Sequence, residues 1–237
     1  MGLSVVYGDI GLGKTSLSRR LAQQFGDHKD FRLGMLVHPN YPSAFQLVRE
    51  IRREFGLIKP RRSLTEELSD IQDYLVKQHD EGRTVVLMVD EAQNLSAPLF
   101  EVLRHFLNYE TNTQKLLQIV LFGQNELATK IDRLPALKDR VTIFGALSSL
   151  TKMDTDRMIE FRWTVAGGSQ HPFSPAALQA IFRFSGGRPR QICKLCDNAL
   201  ITAYSNKLIT IDPGTIHAVA NDMRLLAANE QPVAAVA

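Results

Sequence analysis

The chain has 237 residues, 44% hydrophobic and 22% charged, with a formal net charge of +3. That balance excludes a disordered or fibrous chain and suits a globular protein with a sizeable core, either one ordinary domain or a core with a smaller appendage. The longest strongly apolar run, Val85–Val89, falls far short of the roughly 20 residues that span a bilayer, and two cysteines give no disulfide framework, so a soluble, cytoplasmic protein without a membrane span or signal peptide is expected.

The elements follow in chain order. Leu3–Tyr7 is a short apolar, β-branched run of the kind that forms a buried parallel strand. A glycine-rich loop follows, then a helix with apolar residues at Leu17, Leu21 and Phe25. Phe31–Val37 predicts a second strand, and Ser43–Phe55 a helix closed by Gly56. Ser63 and Glu66 have capping-box spacing, opening a helix to about Glu81. Thr84–Val89 predicts a third strand, Ser96 and Pro98 open a helix through Asn108, and Leu116–Phe122 and Val141–Leu147 predict two further strands. Strands alternating with helices predict an α/β class, a P-loop-type parallel sheet flanked by helices, over residues 1–148.

After Leu150 the strand signal stops. Thr151 with Asp154, Ser174-Pro175, Arg188-Pro189 and Asp212-Pro213 each have the form of a helix start. A small all-α domain over 149–226 is expected, then a weakly patterned, disordered tail over 227–237.

Gly8, Asp9, Ile10, Gly11, Leu12, Gly13, Lys14, Thr15 and Ser16 fit G-x-x-x-x-G-K-[ST] between a strand and a helix. Glycines let the loop curl so that successive N–H groups aim at phosphate oxygens, and the helix adds the positive end of its dipole. Lys14 then reaches the β- and γ-phosphates and the Thr15 hydroxyl takes Mg²⁺. The glycines do not fit the G-x-G-x-x-G dinucleotide pattern.

The run VVLMVDEAQ puts Asp90 at the carboxyl end of a buried strand, where open α/β sheets hold ligands. Asp90 is expected to hold Mg²⁺ through its water shell, and Glu91 to activate the attacking water. A guanine-reading N-K-x-D element is missing, since Asn206-Lys207-Leu208-Ile209 lacks the acid, so ATP is the expected nucleotide.

These residues resemble the AAA+ ATPases, and more narrowly the general secretion pathway protein A (ExeA-like) family. The likeness rests on GDIGLGKTSL, VVLMVDEAQNLS, LNYETNTQKLLQIVLFGQNEL, VAGG and FSGGRPRQICKLCDNALITAY. It implies an ATP-hydrolysing motor with a helical lid over 149–226, working as a ring or filament with ATP at subunit interfaces and remodelling an unidentified protein partner. It further implies that Gln124 is a sensor near the γ-phosphate, that Arg140 (with Arg133 as competitor) is a finger offered to a neighbouring subunit, and that Arg190 is a sensor on the lid. Relatives usually carry a segment before the first strand that encloses the adenine. Only seven residues precede Gly8 here, so a chain without that segment is expected. Stand-alone members also resemble helper ATPases of DNA transposition, which makes duplex DNA the alternative partner. A third reading is an ATP-dependent switch with little turnover.

Charge is uneven along the chain. Residues 1–62 carry 11 Lys and Arg against 5 Asp and Glu, and residues 63–110 carry 3 against 10. The basic side includes RREFGLIKPRR, Arg52–Arg62, which is either a phosphate-backbone contact or ordinary solvated loop charge. Cys193 and Cys196 lie three apart without further metal ligands nearby and are expected as small buried hydrophobes, while Trp163 is expected in a core.

Overall fold

The computed structural model describes residues 2–111 and 114–225. Leu226 and the tail expected over 227–237 lie outside the described residues. The chain divides into two compact units, one of Met1–Ile10 and Lys14–Leu147, the other of Gly11–Gly13 and the stretch from Ser148 onward.

The first unit alternates strand and helix: β1 (Leu3–Tyr7), α1 (Lys14–Gly26), β2 (Phe31–Leu36), α2 (Ala44–Glu54), α3 (Leu64–Asp80), β3 (Thr84–Val89), α4 (Ala97–Phe106), β4 (Leu117–Gly123), α5 (Asn125–Asp132), α6 (Pro135–Lys138) and β5 (Val141–Ala146). The strands form a parallel sheet in the order β2-β3-β4-β1-β5. Consecutive residues of β3, Leu87, Met88 and Val89, are all buried, as they must be in a strand covered on both faces. The edge strand β5 differs: Thr142, Ile143 and Phe144 are exposed.

Register decides where the chemistry emerges. Leu36 pairs with Val89, Val89 with Leu121, and Tyr7 with Gly123. The residues that follow these strands, Gly8, Asp90 and Gln124, therefore leave the sheet along one carboxyl edge. The ladder continues into them, with the Asp90 N–H donating to the Leu36 carbonyl at 2.8 Å and the Gly8 N–H to that of Gly123 at 3.3 Å.

Strand and helix ends fall within one or two residues of the sequence expectation, but α5 and α6 had no sequence signal strong enough to draw. Helix α1 also differs from its apolar spacing. Its buried residues are Lys14 and Ser18, while Leu17 is 36% exposed. At α3 the capping box forms by half. The Ser63 hydroxyl accepts from the Glu66 N–H at 3.2 Å, but the Glu66 carboxylate accepts from Arg62 at 2.9 Å, one residue earlier than the box requires.

Helices α2 and α3 are locked by charge. Arg52, 3% exposed, donates to Glu67 at 2.6 Å and also bonds Asp70, while Arg61 donates to both oxygens of Asp70 at 2.6 Å. Two of the five basic residues in the Arg52–Arg62 segment are thus committed to the fold. Arg53, Lys59 and Arg62 are exposed.

The second unit holds α7 (Lys152–Val165), α8 (Pro175–Ser185), α9 (Pro189–Ser205) and α10 (Pro213–Asp222). Thr151, Ser174 and Asp212 cap α7, α8 and α10 by accepting from Asp154, Ala177 and Thr215 N–H groups, and Pro opens α8, α9 and α10. Its core includes Ile159, Ile181, Phe184, Ile192, Leu195 and Ile216. Gly187 is required here: its φ is +69°, and an added Cβ would lie 2.1 Å from the Leu150 carbonyl oxygen. Trp163 departs from its expectation. It is half-buried and lies against Gly168, with its indole N–H donating to the Gln170 carbonyl at 2.9 Å, so it braces a turn instead of filling a core.

Candidate active site

The loop after β1 has the backbone its sequence demands. Gly11 and Gly13 take φ of +86° and +98°, in the left-handed region that side chains disfavour. Lys14 opens α1, is 6% exposed, and donates to the carbonyls of Gly8 at 2.7 Å and Asp9 at 2.8 Å. A loop curled on its own lysine at the first turn of a thirteen-residue helix fits an anionic ligand, because backbone donors, helix dipole and ammonium converge there. Thr15 is half-buried beside it, and Asp9, Ile10 and Ser16 are exposed.

The end of β3 supplies the acids. Asp90 is 1% exposed, and its carboxylate accepts from the Glu91 N–H at 2.9 Å. Glu91 sits at φ 52° and ψ 36°, a left-handed conformation that costs a non-glycine residue roughly 1–2 kcal/mol. The chain then makes a single 3-10 turn, Ala92–Asn94, before α4. Glu91 Oε2 accepts from the Gln93 amide at 2.6 Å and from the Gln124 amide at 3.3 Å. Gln93 Oε1 in turn accepts from the Gln124 N–H at 3.1 Å. Asn125, the next residue, donates to Asp9 Oδ1 at 2.5 Å.

The fold therefore brings Asp9, Lys14, Asp90, Glu91 and Gln124 to one edge of the sheet. No hydrogen bond or ion pair joins Arg140 or Arg133 to this group among the described residues. Arg140 lies between α6 and β5, with its N–H on the Leu137 carbonyl at 3.0 Å, and Arg133 ends α5. Arg190 is exposed in the first turn of α9, in the second unit. Gln93 and Asn125 were not singled out in the sequence. Their signal was present, since Gln93 ends the D-E-A-Q run and Asn125 follows the sensor-like glutamine, but linear spacing does not show a turn folding back onto its own acid.

Among the described residues no group of three or more His, Cys, Asp or Glu lies placed to hold a metal ion. Mg²⁺ takes one or two carboxylates and completes its shell with waters and phosphate oxygens; Thr15 and Asp90 are side chains of the right chemistry for it. Cys193 is half-buried and Cys196 buried, and desolvation pushes the Cys196 thiol up to about 12, so the pair behaves as packing. Among the described residues no helix is long and apolar enough to cross a membrane.

Residues 1–131 match the family described as AAA domain. General secretion pathway protein A of Aeromonas hydrophila is 36% identical over 225 residues, which cover 94% of this chain and 41% of that protein. Among solved structures, Cdc6p from Pyrobaculum aerophilum superposes with a TM-score of 0.72 at 20% identity, over 93% of this chain and 60% of that one. Drosophila ORC bound to DNA gives a TM-score of 0.67 at 17% identity, over 96% of this chain and 56% of that one. At these identities the structural likeness is one of fold. The chain spans about four-tenths of the length of the secretion protein and six-tenths of Cdc6p.

Proposed function

The chain belongs to the AAA domain family, and from that premise we propose that it is an ATP-hydrolysing motor whose turnover remodels or assembles a protein complex of the secretion or envelope type, a reading supported by the 36%-identical relative named for the general secretion pathway. The observation that carries this reading is the meeting of Glu91 and Gln124 beside buried Asp90, on the sheet edge where Lys14 and the glycine loop also emerge.

Each residue then has a task. The N–H groups of the Gly8–Ser16 loop and the Lys14 ammonium bind the phosphates, Lys14 exchanging its present carbonyl partners for phosphate oxygens. Thr15 and Asp90 would hold Mg²⁺, which would supply positive charge against the phosphates. Glu91 accepts the proton of the attacking water at its carboxylate, and Gln124 orients the γ-phosphate end of the site. Residues 1–148 act as the core and 149–226 as a lid carrying Arg190. Arg140 is supplied by a second copy in a ring or filament, where an arginine in trans is worth powers of ten in rate. The cytoplasm, where ATP is abundant and thiols stay reduced, is the compartment this chemistry suits.

A DNA-stimulated ATPase is the second reading. It is favoured by the likeness to an origin-recognition structure solved on DNA and by exposed Arg53, Lys59 and Arg62. Steady-state ATP hydrolysis by the purified chain tests both. The motor reading expects Mg²⁺-dependent turnover that Lys14→Ala abolishes, and turnover indifferent to Lys14→Ala overturns it. Stimulation by duplex DNA that fades with added salt selects the second reading.

A further inference from the structure

We propose that Gln93 is a positioning residue for hydrolysis, one that holds the Glu91 carboxylate and the Gln124 turn in a single unit. This rests on the reading of Glu91 as the base.

The geometry is specific to an amide. Glu91 Oε2 can only accept, so the group 2.6 Å from it must be the Gln93 NH₂. The Gln124 backbone N–H can only donate, so the group 3.1 Å from it must be the Gln93 carbonyl oxygen. Glutamate in place of Gln93 would keep the acceptor, lose the donor and set a like charge against Glu91. Leucine would fill the space and make neither bond. The Gln124 side-chain amide, 3.3 Å from the same Glu91 oxygen, completes a closed set of bonds between the ends of β3 and β4.

Three independent features support this set. Glu91 has left-handed backbone, which persists only where surrounding contacts over-determine it. Gly123 leaves room for the clamp, since a Cβ there would lie 2.8 Å from Gln93 Oε1 and 2.7 Å from Leu127 Cδ2. The turn carrying Gln93 is itself tied down, because Lys130 donates to the Gln93 carbonyl at 2.6 Å and to that of Leu95 at 3.0 Å. Both bonds of the clamp fall on Oε2, which restricts rotation of the carboxylate and fixes which way Oε1 faces. A base displaced by about 1 Å loses on the order of a hundredfold in rate.

The test is a double-mutant cycle on the full chain, Glu91→Gln against Gln93→Leu, read as single-turnover ATP hydrolysis, ATP affinity and melting temperature. Gln93→Leu is expected to lower kcat by about 10- to 100-fold, leave ATP affinity within about twofold, and cost little further in the Glu91→Gln background. Gly123→Ala, which crowds the same amide, is expected to lower kcat in the same direction. An unchanged kcat in Gln93→Leu overturns the inference while Glu91→Gln still loses turnover. A full additional loss in the Glu91→Gln background overturns it too, since Gln93 would then act on something else. Equal losses of kcat and ATP affinity with a lowered melting temperature show a merely structural residue. Should Glu91→Gln turn over like wild type, the reading of Glu91 as the base fails, and with it the role assigned here.

Discussion

Two clusters of charged side chains, each around a fully buried acid, lie in the same α/β unit, and they are built on opposite plans. Between α2 and α3, Arg52 sits between Glu67 and Asp70, and Arg61 closes the other side of Asp70. At the carboxyl edge of the sheet, Asp90 accepts from the Glu91 N–H, and Glu91 accepts from the side-chain amides of Gln93 and Gln124. In the first cluster each acid faces guanidinium groups, with Arg52, Glu67 and Asp70 on helices and Arg61 on the connection between them. The second is held by amide and backbone N–H groups at strand ends, with Glu91 in strained backbone. Burial alone is common to both. What separates them is the partner each acid takes, guanidinium groups in the brace and amide or backbone N–H groups at the sheet edge.

The sharpest way to break this contrast is to neutralise one charged side chain of each cluster and compare. Glu91→Gln is expected to lower kcat by about 10²- to 10⁴-fold, the worth of a positioned general base, with ATP binding and melting temperature near wild type. Stopped-flow hydrolysis and equilibrium nucleotide titration check it. Loss of binding together with turnover would place Glu91 among the ligand-holding groups instead.

On the helical side the expected effect falls on stability. Arg52→Met removes the 2.6 Å bond to Glu67, whose side chain is fully buried, and leaves it the longer Arg49 contact at 3.5 Å, so it is expected to cost about 3 kcal/mol in chemical denaturation. Removing the partner as well, with Glu67→Leu, is expected to recover much of that, since apolar replacement of a buried pair is often neutral. A double variant no better than the single would mean that Asp70, left with Arg61 alone, carries the larger share.

How much of this was legible in the sequence differs between the same two places. The glycine loop, Asp90 and the strand ends were legible because their types and spacing carry the chemistry directly. The caps at Ser63, Thr151, Ser174 and Asp212 were legible because a cap is a local event. The Arg52 cluster was not: in the sequence it is half of a basic run, and only the packing of α2 on α3 brings Glu67 and Asp70 to it from 15 and 18 residues away. Gln93 was hidden for a related reason, since its partner Gln124 lies 31 residues on. The short α5 and α6, of eight and four residues, gave too little periodicity to read. Leu17 misled because α1 buries Lys14 and Ser18 instead.

Acid titration sharpens the comparison further. The Arg61 hydrogen bonds, aided by the charges of Arg52 and Arg61 and opposed by burial, hold the Asp70 carboxyl below the usual carboxylate range. A depressed carboxyl stabilises the fold fully above the unfolded value and loses that contribution as pH falls through the folded one. Unfolding free energy should therefore decline below about pH 4 in wild type and show a shallower decline in Asp70→Asn, which is weaker at neutral pH. Parallel acid limbs for the two proteins would remove Asp70 from the balance.

The smallest effect on the fold is expected where the basic run meets solvent, and it decides how that run is used. Arg53, Lys59 and Arg62 are exposed, and among the described residues Arg53 pairs with Glu50 three residues back on the same helix. Surface pairs of this kind contribute about 0–1 kcal/mol, so Arg53→Glu, Lys59→Glu and Arg62→Glu together should leave the melting transition nearly in place. If the run tracks a phosphate backbone, the triple variant loses salt-sensitive retention on duplex DNA and any DNA stimulation of hydrolysis, because each neutralised phosphate contact contributes to the salt slope. If retention and stimulation persist, the whole run belongs with the α2–α3 brace and its exposed members are solvated helix ends. Arg52 and Arg61 have to stay out of that experiment, since changing them would unfold the brace and lose DNA binding for a reason unrelated to contact.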